Sequence, residues 1–128
     1  MDKKIKVLLV DDDKDFSESM AFWFRSKGYL VETASNGESA IRMIKENIPD
    51  VVFLDLNMPI MDGEETLKRI REFDKDLLII IVSAYIDRIK IKDVEPLRIS
   101  GLFYKGENFE KGLTLLETVL RTHKKLKK

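Results

Sequence analysis

The chain is 128 residues long, the length of one ordinary domain, and its 44% hydrophobic and 36% charged content excludes disordered and fibrous classes. Lys plus Arg equal Asp plus Glu at 23 each, so no global charge draws it to nucleic acid or to an anionic membrane. The absence of cysteine excludes disulfides, thiol catalysis and thiolate-ligated metals, and with no membrane-length apolar stretch and no signal-peptide core behind Met1 to Lys4 the expected location is cytoplasmic.

The first apolar run, Ile5 to Val10, predicts a strand that ends in Asp11, Asp12 and Asp13. Phe16, Met20, Trp23 and Phe24 then recur at helical spacing as core residues, and Gly28 sits where a helix end needs a left-handed residue. Leu30 to Ala34 predicts the second strand, and Ala40, Ile41 and Ile44 mark a helix stopped before Pro49. The third strand, Val51 to Leu54, runs into Asp55, and Leu67 and Ile70 mark the third helix. The fourth strand, Leu77 to Val82, ends at Ser83; like the third it is apolar throughout, the mark of a strand covered on both faces. In Ile86 to Pro96, Ile89 and Ile91 alternate with Lys90 and Lys92 as in a strand, while Pro96 limits any helix. Right-handed crossover still requires an element there, and a short or irregular fourth helix is expected. Leu102 to Tyr104 predicts the fifth strand, ending at Lys105, and Phe109, Leu113, Leu116, Val119 and Leu120 mark the last helix. His123 suits the C-terminal helix dipole, and Lys124 to Lys128 read as a solvated tail. Strands alternating with helices in this way make the fold class α/β, a doubly wound parallel sheet.

Ligand sites of open α/β sheets lie beyond the carboxyl ends of the strands, and the residues there are polar in this chain. Three or more converging carboxylates raise one another's pKa values unless a cation sits among them. Magnesium suits such a set, since it takes one or two carboxylates, keeps waters and leaves room for a phosphate. Lys105 adds a positive charge and Ser83 a hydroxyl donor. Taken singly, each residue has a structural explanation: Asp13 or Asp15 caps a helix, Asp55 sits in a turn, Ser83 caps a helix and Lys105 is a surface lysine. Their coincidence at four different strand ends favours a shared site.

The run Lys6 to Asp13 (KVLLVDDD) and the run Phe53 to Gly63 (FLDLNMPIMDG), with Val82-Ser83-Ala84 and Phe103-Tyr104-Lys105 in register, resemble the signature segments of response-regulator receiver domains over essentially the whole chain. The resemblance implies a flavodoxin-like five-stranded parallel sheet in the order 2-1-3-4-5 with five helices, a receiver domain over residues 1–122 and a basic tail over 123–128. It implies Asp55 as phospho-acceptor, with Lys105 and Ser83 serving the phosphoryl group. Mg2+, or Mn2+ in its place, would be held by Asp12 directly, by Asp11 through water, by Asp55 and by the backbone carbonyl of Asn57. The implied donor is a histidine kinase or phosphotransfer protein, and the implied output is an unidentified downstream protein on the face of the fourth helix, fifth strand and fifth helix. The same resemblance implies no membrane partner, no direct nucleic-acid binding and a monomer or phosphorylation-dependent dimer. The domain would catalyse only its own phosphorylation and dephosphorylation. Tyr85 and Asn57 occupy positions that in the family influence acyl-phosphate lifetime.

Two departures stand out. Gly106 follows the lysine where the family has a proline after a cis peptide, so a trans Lys105–Gly106 bond is expected. Leu102 replaces the usual switching aromatic, and both changes predict an atypical output surface. Gly63 can supply a positive φ, and Pro59 stiffens the loop after Asp55.

Two other functions compete. A phosphatase resembling the haloacid-dehalogenase group would use Asp11 as nucleophile, but Asp12 and Phe16 do not continue that pattern and the chain is short for that fold with its cap. A phosphate-independent interaction module would keep the fold without the chemistry. No Gly-x-Gly-x-x-Gly follows the first strand, which disfavours a dinucleotide binder.

Overall fold

The computed structural model describes residues 4–84 and 88–123, with the backbone alone for 88–90. The elements are β1 (Lys6–Val10), α1 (Lys14–Ser26), β2 (Leu30–Ala34), α2 (Gly37–Glu46), β3 (Val51–Asp55), α3 (Gly63–Phe73), β4 (Leu78–Ser83), α4 (Arg88–Val94), a 3-10 turn (Glu95–Leu97), β5 (Gly101–Tyr104) and α5 (Phe109–Thr122). All strand pairs are parallel, in the expected order β2-β1-β3-β4-β5.

The period-two geometry of a strand sends alternate apolar side chains to opposite faces of the sheet. Val7, Leu9, Phe53, Ile80 and Val82 pack with Met20 and Phe24 of α1 and with Leu116 and Leu120 of α5. Leu8, Val10, Val52, Leu54, Ile79 and Ile81 pack on the other side with Ala40 and Ile44 of α2, Leu67 and Ile70 of α3, and Val94 of α4. Every residue of β3 and β4 is buried, as their uninterrupted apolar character predicted. Phe16 and Trp23, expected in the core, are only partly buried against it.

Each longer helix begins with a side-chain cap that also fixes the chain's exit from the sheet. Asp13, Asn36, Asp62 and Asn108 accept the N–H of Phe16, Ser39, Glu65 and Lys111, satisfying donors that would otherwise lack partners. Gly28 stands at φ +98° after α1, its N–H bonded to the Arg25 carbonyl, while the Tyr29 N–H reaches the Phe24 carbonyl. His123 caps α5, with Nδ1 3.1 Å from the Val119 carbonyl oxygen.

The fourth crossover contains the short helix expected of it. Pro96 falls in the 3-10 turn that follows, and Arg98 ends that turn at φ +64°. Arg71 on α3 ties this connection down by donating to the carbonyls of Leu97 (2.8 Å), Arg98 (2.9 Å) and Asp74 (3.0 Å). Tyr85, Ile86 and the lysines of 124–128 lie outside the described residues. No helix among the described residues is long and apolar enough to cross a membrane.

Gly63 requires a correction. Among the described glycines only Gly28 has a positive φ, so conformational freedom does not explain residue 63. Close approach does: a Cβ there would collide with the Asp55 carbonyl oxygen and lie 2.6 Å from the Leu56 Cα, both backbone atoms that cannot swing aside. Gly63→Ala is therefore expected to cost about 2 kcal/mol, the range of overpacking against a rigid neighbour, readable as a lower urea midpoint at unchanged m-value.

Candidate functional site

The carboxyl ends of β1, β3, β4 and β5 bring the predicted residues together. After Val10 the chain stays in line for one more residue, because the Asp11 N–H donates to the Ala34 carbonyl at 3.0 Å, and Asp11 is buried there. Its Oδ1 accepts the Asp13 N–H at 2.8 Å, which turns the backbone into α1 and leaves Asp12 exposed at the mouth. Asp55 is the last residue of β3, in register with Val82, and only 2% exposed. Its Oδ1 accepts the Asn57 N–H at 3.1 Å, and the loop beyond is closed by the Gly63 N–H on the Leu56 carbonyl, also at 3.1 Å. Ser83 is buried at the end of β4, opposite Tyr104 of β5, and its carbonyl accepts the Lys105 N–H at 2.8 Å.

From that anchor the Lys105 ammonium reaches across the top of the sheet. It lies 2.9 Å from Asp11 Oδ2, 3.1 Å from Asp11 Oδ1 and 3.6 Å from Asp55 Oδ2, with the side chain 17% exposed. The same Nζ sits 4.8 Å from the centroid of the Phe16 ring. The described peptide bonds contain no cis bond, so Lys105–Gly106 is trans as expected; the Tyr104 ring lies against the Gly106 Cα, where a Cβ would come within 2.9 Å of Tyr104 Cζ.

The electrostatics of this end are unbalanced. The Asp55 carboxyl is pushed up to about 7, first by burial and then by the Asp11 charge and a hydrogen bond with Asp11, against the opposing pull of the Asn57 N–H and Lys105. Burial alone would lower the Lys105 ammonium, but its bond to Asp11 and the charges of Asp55, Asp11 and Asp13 outweigh burial and raise it. Ligand atoms of Asp11, Asp12 and Asp55 all lie within 4.8 Å of one another, and one lysine cannot neutralise three carboxylates. Two sheltered acids and one open to solvent, all oxygen donors, fit a hard divalent cation that keeps part of its water shell.

Sequence reasoning missed two features. It placed Phe16 in the helix-one core without noting that a residue in the first turn of α1 lies beside the strand ends. It also reserved Lys105 for a phosphoryl group, whereas in the structure the lysine pairs most closely with Asp11.

Comparison with known proteins decides the family. The model for the response regulator receiver domain matches residues 7–118. The chain belongs to that family. It is 36% identical over 117 residues to the transcriptional regulatory protein PrrA of Mycobacterium tuberculosis, covering 91% of this chain and 47% of that protein. The chain thus spans about half the length of that curated relative. Among solved structures, the chemotaxis protein CheY4 of Vibrio cholerae shares 30% identity at a TM-score of 0.88, covering 92% of this chain and all of that one. The CheX–CheY–BeF3–Mg2+ complex from Borrelia burgdorferi contains a chain similar at 32% identity and TM-score 0.84, covering 91% of this chain and 89% of its own. The protein is therefore a receiver domain of two-component response regulators, with the flavodoxin-like sheet of that class.

Proposed function

We propose that this receiver domain accepts a phosphoryl group on Asp55 from a phosphohistidine of a histidine kinase or phosphotransfer protein. The observation that carries the reading is the meeting of Asp11, Asp12, Asp55 and Lys105 at one end of the sheet, with the Asp55 carboxylate at its floor. An Asp55 oxygen attacks phosphorus, the P–N bond of the donor breaks, the imidazole leaves, and an acyl phosphate remains on the protein. Lys105, already within reach of Asp55, pairs with a phosphoryl oxygen, and the Ser83 hydroxyl donates to another. Asp12, Asp55 and the Asn57 carbonyl would hold Mg2+, or Mn2+ in its place, with Asp11 reaching it through water, and the cation would offset charge on the transferring oxygens.

The added charge gives the phosphorylated state contacts that the unmodified one lacks, and this biases the face of α4, β5 and α5 toward a downstream protein. On that face Leu102, 46% exposed on β5, and Gly106 stand where the family resemblance implies an aromatic and a proline. The domain occupies residues 1–122 with a basic tail over 123–128, works in the cytoplasm as a monomer or phosphorylation-dependent dimer, and turns over only its own phosphoryl group. Asp11 is paired with Lys105 more closely than Asp55 is, at 2.9 Å against 3.6 Å, and its Oδ1 also accepts the Asp13 N–H, which argues against the phosphatase reading.

Acetyl phosphate tests the assignment. With Mg2+ the intact protein is expected to gain one phosphoryl mass that hydroxylamine removes, in a peptide containing Asp55. The label should vanish with EDTA and in Asp55→Asn. Label that survives in Asp55→Asn but disappears in Asp11→Asn would overturn the proposal.

A further inference from the structure

We infer that Phe16 is a positioning residue for Lys105, its ring face holding the ammonium over the site when the carboxylates are engaged elsewhere. The inference rests on the reading of Asp55 as acceptor and adds a residue to that reaction. Lysine has a long flexible stem, and the glycine after Lys105 does little to aim it. Asp11 holds the ammonium at 2.9 Å and Asp55 lies at 3.6 Å. Both residues belong to the set that would hold a divalent cation. Once they turn to the cation, the ammonium needs an attraction that does not compete for it.

The Phe16 ring meets that requirement. Its centroid is 4.8 Å from Lys105 Nζ, inside the range in which the negative face of an aromatic ring attracts a cation. A ring face has no oxygen to offer a hard cation, so it keeps its hold on the lysine when the metal arrives. The ring is itself fixed. Phe16 packs edge-on against Phe109 with centroids 5.8 Å apart and planes at 62°, which ties the first turn of α1 to the first turn of α5. Partial burial of both rings strengthens the effect, because an attraction of this kind is worth more where water is excluded.

The test uses the full chain and two substitutions. Phe16→Leu keeps an apolar side chain without the ring, and Phe16→Tyr keeps the ring face. By NMR, the Lys105 ε-methylene protons of the wild-type protein should show an upfield ring-current shift that persists on Mg2+ addition, remains in Phe16→Tyr and disappears in Phe16→Leu. At saturating Mg2+, phosphorylation by acetyl phosphate should be about fivefold slower in Phe16→Leu and within about twofold of wild type in Phe16→Tyr. Should Phe16→Leu fail to fold, the wild-type shift decides, and its collapse on Mg2+ addition would overturn the inference. Wild-type labelling with an unslowed Phe16→Leu overturns the inference alone. No labelling of the wild-type protein would overturn the reading of Asp55 and this inference with it.

Discussion

Asp55→Asn is expected to raise the melting temperature of the metal-free protein at pH 8 by about 10 °C, a gain that shrinks toward zero as the pH approaches 4. The Asp55 carboxyl has its pKa lifted from 3.8 to about 7 in the fold, first by burial and then by its neighbour Asp11. Between those values the native state keeps a proton that the unfolded chain has released. Stability is therefore greatest below the unfolded pKa and is lost as pH rises through the window to about 7, after which the loss is complete. Asparagine is neutral at every pH and escapes the loss. Magnesium should narrow the gap from the other side, because a cation bound only by the native state stabilises the wild-type protein. Calorimetry at pH 4.5, 6 and 8, with EDTA and with Mg2+, reads all three effects. A difference between the two proteins that does not change with pH would contradict the account of Asp55.

Lys105→Ala should move two measurable quantities in opposite directions. The ammonium now lies against Asp11 and Asp55, the groups proposed to take the cation, so its removal ends a competition. Magnesium affinity, followed by isothermal titration calorimetry, should rise roughly tenfold, since a positive charge a few ångström away no longer opposes binding. The rate of phosphorylation by acetyl phosphate at saturating Mg2+ should nevertheless fall by about a hundredfold, the usual cost of losing one preorganised group aimed at developing charge. A lysine that merely held the fold together would not separate the two. Loss of both magnesium affinity and rate would mean that Lys105 supports the carboxylates structurally, while loss of neither would remove it from the site.

Much of this arrangement was legible in the sequence because the interior strands carry an unmistakable pattern. The runs that became β1, β3 and β4 end within a residue of their expected bounds, and parallel topology then placed Asp11, Asp55, Ser83 and Lys105 at one end without further information. The start of α1 was also open to reading, since Asp13 or Asp15 was expected to cap it and Asp13 does, while the caps Asn36, Asp62 and Asn108 went unnamed. The segment around α4 was less so, since the alternation of Ile89 and Ile91 with lysines mimics a strand and only the crossover requirement argues for a helix. Gly63 was misread because composition cannot separate a glycine needed for its φ from one needed for its lack of a Cβ. Only the nearness of the Asp55 and Leu56 backbone makes the distinction. Phe16 escaped notice for a related reason: the helical period assigns it to a face, whereas its contact with Lys105 depends on how α1 and α5 are set against the sheet. Ile60 is a further case, a fully exposed β-branched residue at φ +67° in the loop after Asp55, a conformation such residues rarely adopt.

The central claim is that Asp11, Asp12 and Asp55 share one divalent ion and that the last of these carboxylates becomes an acyl phosphate. A crystal structure of the full chain grown with Mg2+ and beryllofluoride tests it most directly. The account predicts one metal bound directly by Asp12, Asp55 and the Asn57 carbonyl and through water by Asp11, beryllium on an Asp55 oxygen, and Lys105 turned from Asp11 toward fluorine. Beryllium on Asp11, or a cluster of Asp11, Asp12 and Asp55 that takes up no ion at saturating Mg2+, would contradict it.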